Sequence, residues 1–388
     1  MTRKLIFYVI MFGLVFFVFE GFGFISQFIM DDVYDHRDEV LNKLSNDDEV
    51  VTNLKRMDPV LGWQYHGPDV HSECNCQGTS VTYSFDRNGA RTYRGFGDKP
   101  VEIVLVGDSY THGSEVTDDD TFSAQLSSIL GVSIANLGVG GFGPVQAFLN
   151  LKRKLPDYPE AGIVMLGIMY ENIFRMVNSY RPVLAHKSSP YRIKPYIAKG
   201  DIQQPAPNVF SSVDSLKRQA NYAFDHDFWA KPRHEFPFSV AFIRSMGSRY
   251  CLHKRLPRKL RKIGMPEYFL AYRSEAFCME LIRLLGQYAA FAHQNHVRPV
   301  VIFIPRDRHD TKSVAAFIET NREQFDPDLL ICDIGNAHMD WERYNLVDSS
   351  KKGNINLCHP SPYGHRMMAE YIAGFLNERN VLVATSGL

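Results

Sequence analysis

The chain has 388 residues, and its 43 basic and 43 acidic side chains give a formal net charge of zero. This balance argues against a nucleic acid as the main partner. Hydrophobic residues make up 45% of the chain, which is enough to bury one large core with additions.

The N-terminus carries an apolar stretch, Leu5 to Ile25, directly after the basic pair Arg3 and Lys4. The stretch is long enough to cross a bilayer. Basic residues before it and acidic residues after it favour a cytoplasmic N-terminus. A cleaved secretory signal is the alternative, but its apolar core is about 7 to 15 residues and ends at an Ala-x-Ala-like site. We predict an uncleaved, single-pass signal anchor over residues 1–27 in the inner (cytoplasmic) membrane, with the main domain periplasmic or extracellular.

One charge, Glu20, interrupts this apolar stretch near its outer end. The simpler interpretation is that its carboxylate reaches for the membrane interface. The alternative is a polar contact with a membrane helix of a partner protein.

Residues 28–97 are predicted to form a stalk and a small β-rich segment that leads into the main domain. Residues 31–57 suit a flexible stalk. Turn signals then follow, among them Asp86-Arg87-Asn88-Gly89, and an Asn-Gly pair between mixed runs is typical of a β-turn or hairpin.

The first strand pattern of the main domain, Val101 to Val106, ends in the turn Gly107-Asp108-Ser109-Tyr110-Thr111-His112-Gly113. Such a turn exposes a hydroxyl at the carboxyl end of a strand, where ligands bind in open α/β sheets. A serine after a Gly-Asp pair also suits an ordinary turn or a helix N-cap. The turn by itself leaves both interpretations open.

Three further blocks follow: a glycine-rich turn at 136–143, Tyr170-Glu171-Asn172, and Cys358-His359-Pro360. The first two come directly after strand-like runs, and two more such runs precede the third. Five buried runs that alternate with helices predict a three-layer α/β/α fold with a five-stranded, mostly parallel sheet. These runs are 101–106, 132–135, 163–169, 299–304 and 329–334.

The order of serine turn, glycine turn, asparagine turn and His-Pro resembles the SGNH (GDSL-type) hydrolase superfamily, which implies a flavodoxin-like sheet. The resemblance covers roughly residues 100 to 380. It implies a hydrolase domain at 98–385 with an insertion at about 175–270. Its site residues would be Ser109 as nucleophile, His359 as base, and an oxyanion hole made by the N–H groups of Ser109 and Gly141 and the amide of Asn172. The family usually shows Asn-Asp at the third block, so an asparagine that caps the next helix is the alternative for Asn172.

The family also carries an aspartate three residues before the histidine, and this chain has Asn356 there. An amide accepts a hydrogen bond from the ring but has no charge, and in a serine protease the same change lowers turnover about ten-thousand-fold. Three hypotheses follow: Asn356 acts as a weaker orienting group, an acid such as Asp348 replaces it, or the chain is a binding protein on a hydrolase scaffold.

Other residues near the blocks are predicted to be structural. We expect His112 to stabilise the serine turn and His365 to pack in the final helix, although its position makes it the alternative to His359. Cys74 and Cys76 are too close to pair with each other, so each needs a distant partner, and Cys358 is expected to be buried.

The insertion is loop-like at first and then strongly basic, from Arg244 to Lys262. A solvated face is the ordinary interpretation of such a charge run. The alternatives are a patch that meets anionic lipid headgroups or an acidic glycan, and a lid over the substrate.

The resemblance implies a serine acyl-ester hydrolase or O-acyltransferase that acts on acylated cell-surface glycan, with a membrane-bound O-acyltransferase as a candidate partner. No cofactor is expected. No metal is expected either, because the histidines lack ligand spacing such as His-x-x-x-His, and a metallo-hydrolase is the least favoured alternative. The main alternative is a catalytically inactive scaffold that binds glycan or organises a membrane complex.

Overall fold

The computed structural model describes residues 2–44, 48–261, 271–308, 311–348 and 356–381. The chain divides into two compact units. The first unit comprises Met1–Gly62, Asn178–Lys194 and Gln204–Glu267. The second, which carries all the predicted site residues, comprises Trp63–Val177, Pro195–Gln203 and Tyr268–Leu388.

The strands of the described residues are, in chain order, β1 (Asp69–Cys74), β2 (Ser80–Phe85), β3 (Val101–Val106), β4 (Ser133–Asn136), β5 (Ile163–Met169), β6 (Tyr196–Ala198), β7 (Asp201–Gln203), β8 (Arg298–Ile304), β9 (Leu330–Asp333), β10 (Asn345–Asp348) and β11 (Asn356–Pro360). The α-helices are α1 (Thr2–Ile29), α2 (Arg37–Asn42), α3 (Asp48–Lys55), α4 (Ser109–His112), α5 (Phe122–Leu130), α6 (Pro144–Lys154), α7 (Asn172–Met176), α8 (Arg181–Leu184), α9 (Val213–His226), α10 (Phe238–Met246), α11 (Leu256–Arg261), α12 (Glu275–Gln294), α13 (Thr311–Thr320), α14 (Trp341–Tyr344) and α15 (Pro362–Glu378).

Five strands of the second unit form one sheet in the order β4-β3-β5-β8-β9, and every neighbouring pair is parallel. Counted along the chain, this is the order 2-1-3-4-5 of flavodoxin-like folds. All seven residues of β5 are buried, as expected for a parallel sheet with helices on both faces. The prediction of a five-stranded α/β sheet is therefore confirmed.

Alternate strand residues face opposite sides of this sheet. One set, which includes Leu105, Met165 and Ile302, packs with buried side chains of α5 and α15. On the other side α6 and α12 contact the strands, and the Tyr288 hydroxyl of α12 donates to the carbonyl oxygens of Val164 and Val300. The strands β4, β3 and β5 are neighbours, so the three chain segments that follow them emerge at one edge.

The antiparallel pair β1–β2 precedes the sheet and supports the loop after the serine turn. The guanidinium of Arg91, which is 1% exposed, donates to the carbonyl oxygens of His112, Gly113 and Val116 and to the carboxylate of Asp118. One planar guanidinium thus makes four hydrogen bonds to this loop, and these bonds fix its position on the hairpin.

The first unit contains α1, an apolar helix long enough to cross a membrane by length and composition, properties that a signal sequence shares. Residues 31–57, predicted as a stalk, contain α2 and α3, whose Val40 and Leu54 are buried. Glu20 of α1 accepts hydrogen bonds from the N–H groups of Phe238 and Ser239. The partner of Glu20 is thus the start of a helix in the same chain. The sequence had suggested either the membrane interface or a helix of a partner protein.

Candidate active site

The serine turn places Ser109 at the first position of the short helix α4, at the carboxyl end of β3. The helix is capped by Asp108, whose Oδ1 accepts the N–H of Tyr110 at 3.0 Å. A Cβ on Gly107 would overlap the Thr111 side chain, so only glycine lets the strand turn this sharply into the helix. These local constraints explain why the Gly-Asp-Ser sequence holds the hydroxyl at the sheet edge.

Ser109 and His359 line the same open pocket, which has a volume of about 380 Å³. No hydrogen bond joins their side chains in the described structure, although such bonds often tighten only when substrate is present. Five of its lining residues are acidic or basic: Glu115, Glu171, Arg175, Arg306 and Asp348. The lining residues are Cys76, Ser109, Tyr110, Glu115, Met169, Glu171, Arg175, Arg306, Asp348, Leu357, Cys358 and His359.

The carboxylate next to the imidazole of His359 belongs to Glu115, a residue that sequence reasoning missed. Its Oε1 lies 3.5 Å from Nδ1, and its Oε2 accepts the backbone N–H of His359 at 3.2 Å. At 3.5 Å this contact is longer than an ordinary hydrogen bond. Since Nδ1 faces this carboxylate, Nε2 on the other side of the ring is the nitrogen left to act on a substrate or on Ser109.

Glu115 is held in an unusual backbone conformation, with φ at +71°. Non-glycine residues in this region are strained by about 1–3 kcal/mol, and such strain is concentrated at functional sites. The conformation is maintained by the Tyr83 hydroxyl, which accepts the N–H of Glu115 at 2.8 Å and donates to Glu73. The β1–β2 hairpin and Arg91 therefore fix the position of this carboxylate.

The electrostatics of the pair favour an ionised carboxylate. Burial raises the pKa of Glu115, but the hydrogen bonds and charge of His359 outweigh burial and hold this pKa below its ordinary value. An ionised Glu115 fixes the ring tautomer and stabilises the imidazolium that forms when a histidine accepts a proton.

Two of the three predicted oxyanion donors are backbone groups without an acceptor among the described residues: the N–H of Ser109 and the N–H of Gly141. Gly141 has φ at +82° and follows Gly140, whose carbonyl accepts the indole N–H of Trp63 at 3.0 Å. Neither Gly141 nor Asn172 lines the described pocket.

Asn172 is buried and occupies the first position of α7, directly after β5. The cap position of this helix is Glu171, so helix capping does not explain the asparagine. Its Nδ2 donates to Asp108 Oδ2 at 2.9 Å, and Arg175 lies 3.5 Å from the same oxygen. The buried Asp108 thus connects the asparagine block to the serine block through a hydrogen bond. This bond uses one of the two amide hydrogens of Asn172.

The two other histidines near the blocks, His112 and His365, are both buried. His112 packs between the rings of Tyr65 and Tyr83, and burial lowers its pKa well below the ordinary value. His365 accepts the N–H of Phe122 at 3.1 Å, and burial lowers its pKa to about 3. Its Nδ1 is occupied by a backbone N–H and it does not line the pocket with Ser109, which argues against His365 as the base.

The backbone of Asn356 pairs with that of Asp348 in the β10–β11 ladder, while the side chain of Asn356 lies outside the described part of the structure. The role predicted for Asn356 therefore stays a prediction. Asp348 also lines the pocket, and the carboxylate that the described contacts place within 4 Å of the imidazole is that of Glu115.

A scan against protein-family models finds no match, and a search of curated proteins finds none either. Solved structures do match, and they include lipolytic proteins, carbohydrate esterases and an acyltransferase. One is a lipolytic protein of the G-D-S-L family from Desulfitobacterium hafniense DCB-2, with 12% identity over 71% of this chain and 99% of that chain at a TM-score of 0.31.

Two further matches have similarly low scores. A family two carbohydrate esterase from Clostridium thermocellum, in complex with cellohexaose, has 10% identity over 73% of this chain and 66% of that chain at a TM-score of 0.33. A salicylyl-acyltransferase from a tetracycline biosynthetic pathway has 13% identity over 73% of this chain and 57% of that chain, also at 0.33. All three TM-scores are below 0.5, so these similarities carry no functional conclusion.

A disulfide lies beside the candidate base. Cys358, expected to be merely buried, is bonded to Cys76 in the turn between β1 and β2. It thus links the strand that carries His359 to the hairpin that holds Glu115. Three candidate ligand atoms for a metal come together here, from Cys76, Cys358 and Glu115, but sulfurs joined to each other are not thiolate ligands.

We predict that replacing both Cys76 and Cys358 by serine lowers the free energy of unfolding by about 2–5 kcal/mol. The turnover number should fall as well, because His359 and Glu115 lose their covalent link. Denaturant unfolding and ester hydrolysis measure the two effects. Cys74→Ser, at an exposed cysteine outside the disulfide, is the matched control. Unchanged turnover in the double variant would show that the link does not support the site.

Proposed function

We propose that this protein is an SGNH-type serine hydrolase or acyltransferase that forms an acyl-enzyme on Ser109. The observation that carries the proposal is the arrangement of one pocket: Ser109 and His359 both line it, and the Glu115 carboxylate faces Nδ1 of His359. Serine, imidazole and carboxylate are the three groups that nucleophilic acyl transfer needs.

In the first half of the reaction, the Ser109 Oγ attacks the ester carbonyl carbon while Nε2 of His359 takes the hydroxyl proton. The tetrahedral intermediate collapses, the bond to the leaving oxygen breaks, and His359 gives the proton to that oxygen. In the second half, water or an acceptor hydroxyl attacks the acyl-enzyme. His359 takes the proton of the attacking group and returns it to Ser109.

Negative charge on the former carbonyl oxygen requires fixed donors. The unoccupied N–H groups of Ser109 and Gly141 and the remaining amide hydrogen of Asn172 are the candidates. Asp108 is the positioning residue for Asn172, and Glu115 is the positioning residue for His359.

The substrate class we propose is an acylated cell-surface glycan, with water or a sugar hydroxyl as acceptor. The pocket is open, and charged groups such as Glu171, Arg175 and Arg306 line it, which suits a short acyl group on a polar partner better than a long fatty chain. We further propose that α1 anchors the protein in the inner membrane with the catalytic unit outside, where a membrane-bound O-acyltransferase is a candidate partner.

A fluorophosphonate probe tests the proposal, because it reacts covalently with an activated serine. We expect the full-length wild-type protein to be labelled and Ser109→Ala not to be labelled. The labelled tryptic peptide of the wild type should contain Ser109. Absence of labelling in both proteins, with both shown to be folded, would contradict the proposal and favour the inactive scaffold.

A further inference from the structure

The basic half of the insertion carries an exposed apolar face that the proposed reaction does not use. Phe236, Val240, Ile243 and Met246 are all exposed, at 64%, 40%, 68% and 38%. Spacings of three and four residues place them on one side of α10 and the turn before it. An exposed apolar row of this length marks an interaction surface rather than ordinary solvent exposure.

This row lies beside α1, within the same compact unit. The rings of Phe22 and Phe242 are 5.1 Å apart, and those of Phe16 and Phe236 are 6.4 Å apart. A Cβ on Gly23 would overlap the backbone of the α10 N-terminus, so the two helices approach more closely than larger residues allow.

Glu20 explains how the two helices are joined. Its carboxylate is 6% exposed and accepts the N–H groups of Phe238 and Ser239 and the Ser239 hydroxyl. The first N–H groups of a helix are unpaired within the helix and carry partial positive charge. They therefore satisfy a carboxylate that would otherwise be very costly at membrane depth.

The position of this contact along α1 sets its depth. Glu20 is 16 residues beyond Lys4, which is about 24 Å of helix, and the hydrocarbon core of a bilayer is about 30 Å thick. If α1 spans the membrane from Leu5, the start of α10 therefore lies in the outer part of the hydrocarbon layer. The apolar row is accompanied and followed along the chain by exposed basic residues, as in helices that lie at a charged membrane surface. These residues are Arg244, Arg249, Arg258 and Lys259.

We infer that α10 and the turn before it are a second membrane-embedded element, packed against α1 and in contact with the acyl chains of the outer leaflet. The inference rests on the proposed membrane anchor and is independent of the proposed chemistry at Ser109. A membrane helix of a partner protein is the other occupant of such a face, and the experiment distinguishes it.

The full-length protein is reconstituted in vesicles of phosphatidylcholine and phosphatidylglycerol that contain a lipid with a photoreactive diazirine on its acyl chain. After irradiation, tryptic peptides are analysed for lipid adducts. Cleavage after Arg233 and Arg244 isolates residues 234–244, and cleavage after Lys4 and Arg37 isolates residues 5–37. We expect adducts on both peptides and none above background on peptide 57–87, whose Val70 is equally exposed at 68%.

Two variants on α1 sharpen the result. Gly23→Val should displace α10 and lower the adduct yield on 234–244 without lowering the yield on 5–37. Gly21→Val is the matched control, because a Cβ at Gly21 contacts nothing within 4 Å. Adducts on 5–37 without adducts on 234–244 would overturn the inference but leave the anchor intact. Absence of adducts on 5–37 would overturn both the inference about α10 and the proposed membrane anchor. The fluorophosphonate labelling of Ser109 would then still test the proposed acyl-enzyme separately.

Discussion

Replacing Glu115 by glutamine should lower the turnover number for ester hydrolysis by about 10²- to 10⁴-fold, with little change in KM. Glutamine keeps the size of the side chain but removes the charge that faces Nδ1 of His359. The imidazolium formed during serine attack then has no anionic partner. The loss appears in the turnover number because that charge develops only as the reaction proceeds.

The pH dependence of stability gives a second readout for this carboxylate. Because the folded-state pKa of Glu115 is depressed, the stabilisation it contributes is complete above the ordinary glutamate pKa and is lost as the pH falls through the lowered value. Glu115→Gln should lack this acid-sensitive part of the free energy of unfolding, which denaturant unfolding at several pH values measures.

Two further variants serve as comparisons. One distinguishes a loss of activity from a loss of stability, and the other tests Asn356, the orienting residue that the family pattern predicts. Glu115→Gly removes the carboxylate but relieves the backbone strain at φ +71°, so activity should fall while the melting temperature does not. Asn356→Ala tests the predicted orienting residue and should cost much less activity than Glu115→Gln. If Asn356→Ala abolishes turnover and Glu115→Gln leaves it unchanged, the assignment of Glu115 is wrong.

Replacing His359 by alanine should lower the turnover number by about 10⁴- to 10⁶-fold, the range seen when a serine hydrolase loses its base. The variant removes the imidazole that we propose takes the Ser109 proton, and both residues line the same pocket. Fluorophosphonate labelling of Ser109 should be lost in parallel. Steady-state hydrolysis of a short-chain aryl ester measures the first effect and gel-based labelling the second.

His365→Gln is the informative comparison for this variant. His365 is buried and accepts the backbone N–H of Phe122, so its replacement should lower the melting temperature. The folded variant should nevertheless retain turnover, since the imidazole is outside the pocket. Loss of activity in His365→Gln with activity retained in His359→Ala would reverse the assignment of the base.

Much of the fold was predictable because it depends on local signals. Apolar runs such as 101–106 and 163–169 end in glycine or polar turns, and buried strands of a parallel sheet consist of such runs. The order of the blocks then indicates which side chains reach the sheet edge. Ser361 and Pro362 likewise predicted the start of α15, and in the structure Ser361 caps this helix.

The acid of the site was not predictable in this way. Glu115 lies six residues after Ser109 in a turn, where a carboxylate is ordinary, and its partner His359 is 244 residues further along the chain. Its conformation depends on Tyr83 and Arg91, and no periodic pattern marks either residue as a support for the site. The pairing of Cys76 with Cys358 was not predictable either, because these residues are 282 positions apart in the chain.

The amino-acid sequence by itself thus determined the parallel sheet, the apolar N-terminal helix and the serine turn, because each follows from residues that are neighbours in the chain. Tertiary structure alone decided which carboxylate faces the imidazole, which cysteines pair, and that Glu20 meets the start of α10. Each of these is a contact between residues far apart in sequence, and it exists only after the intervening chain has packed.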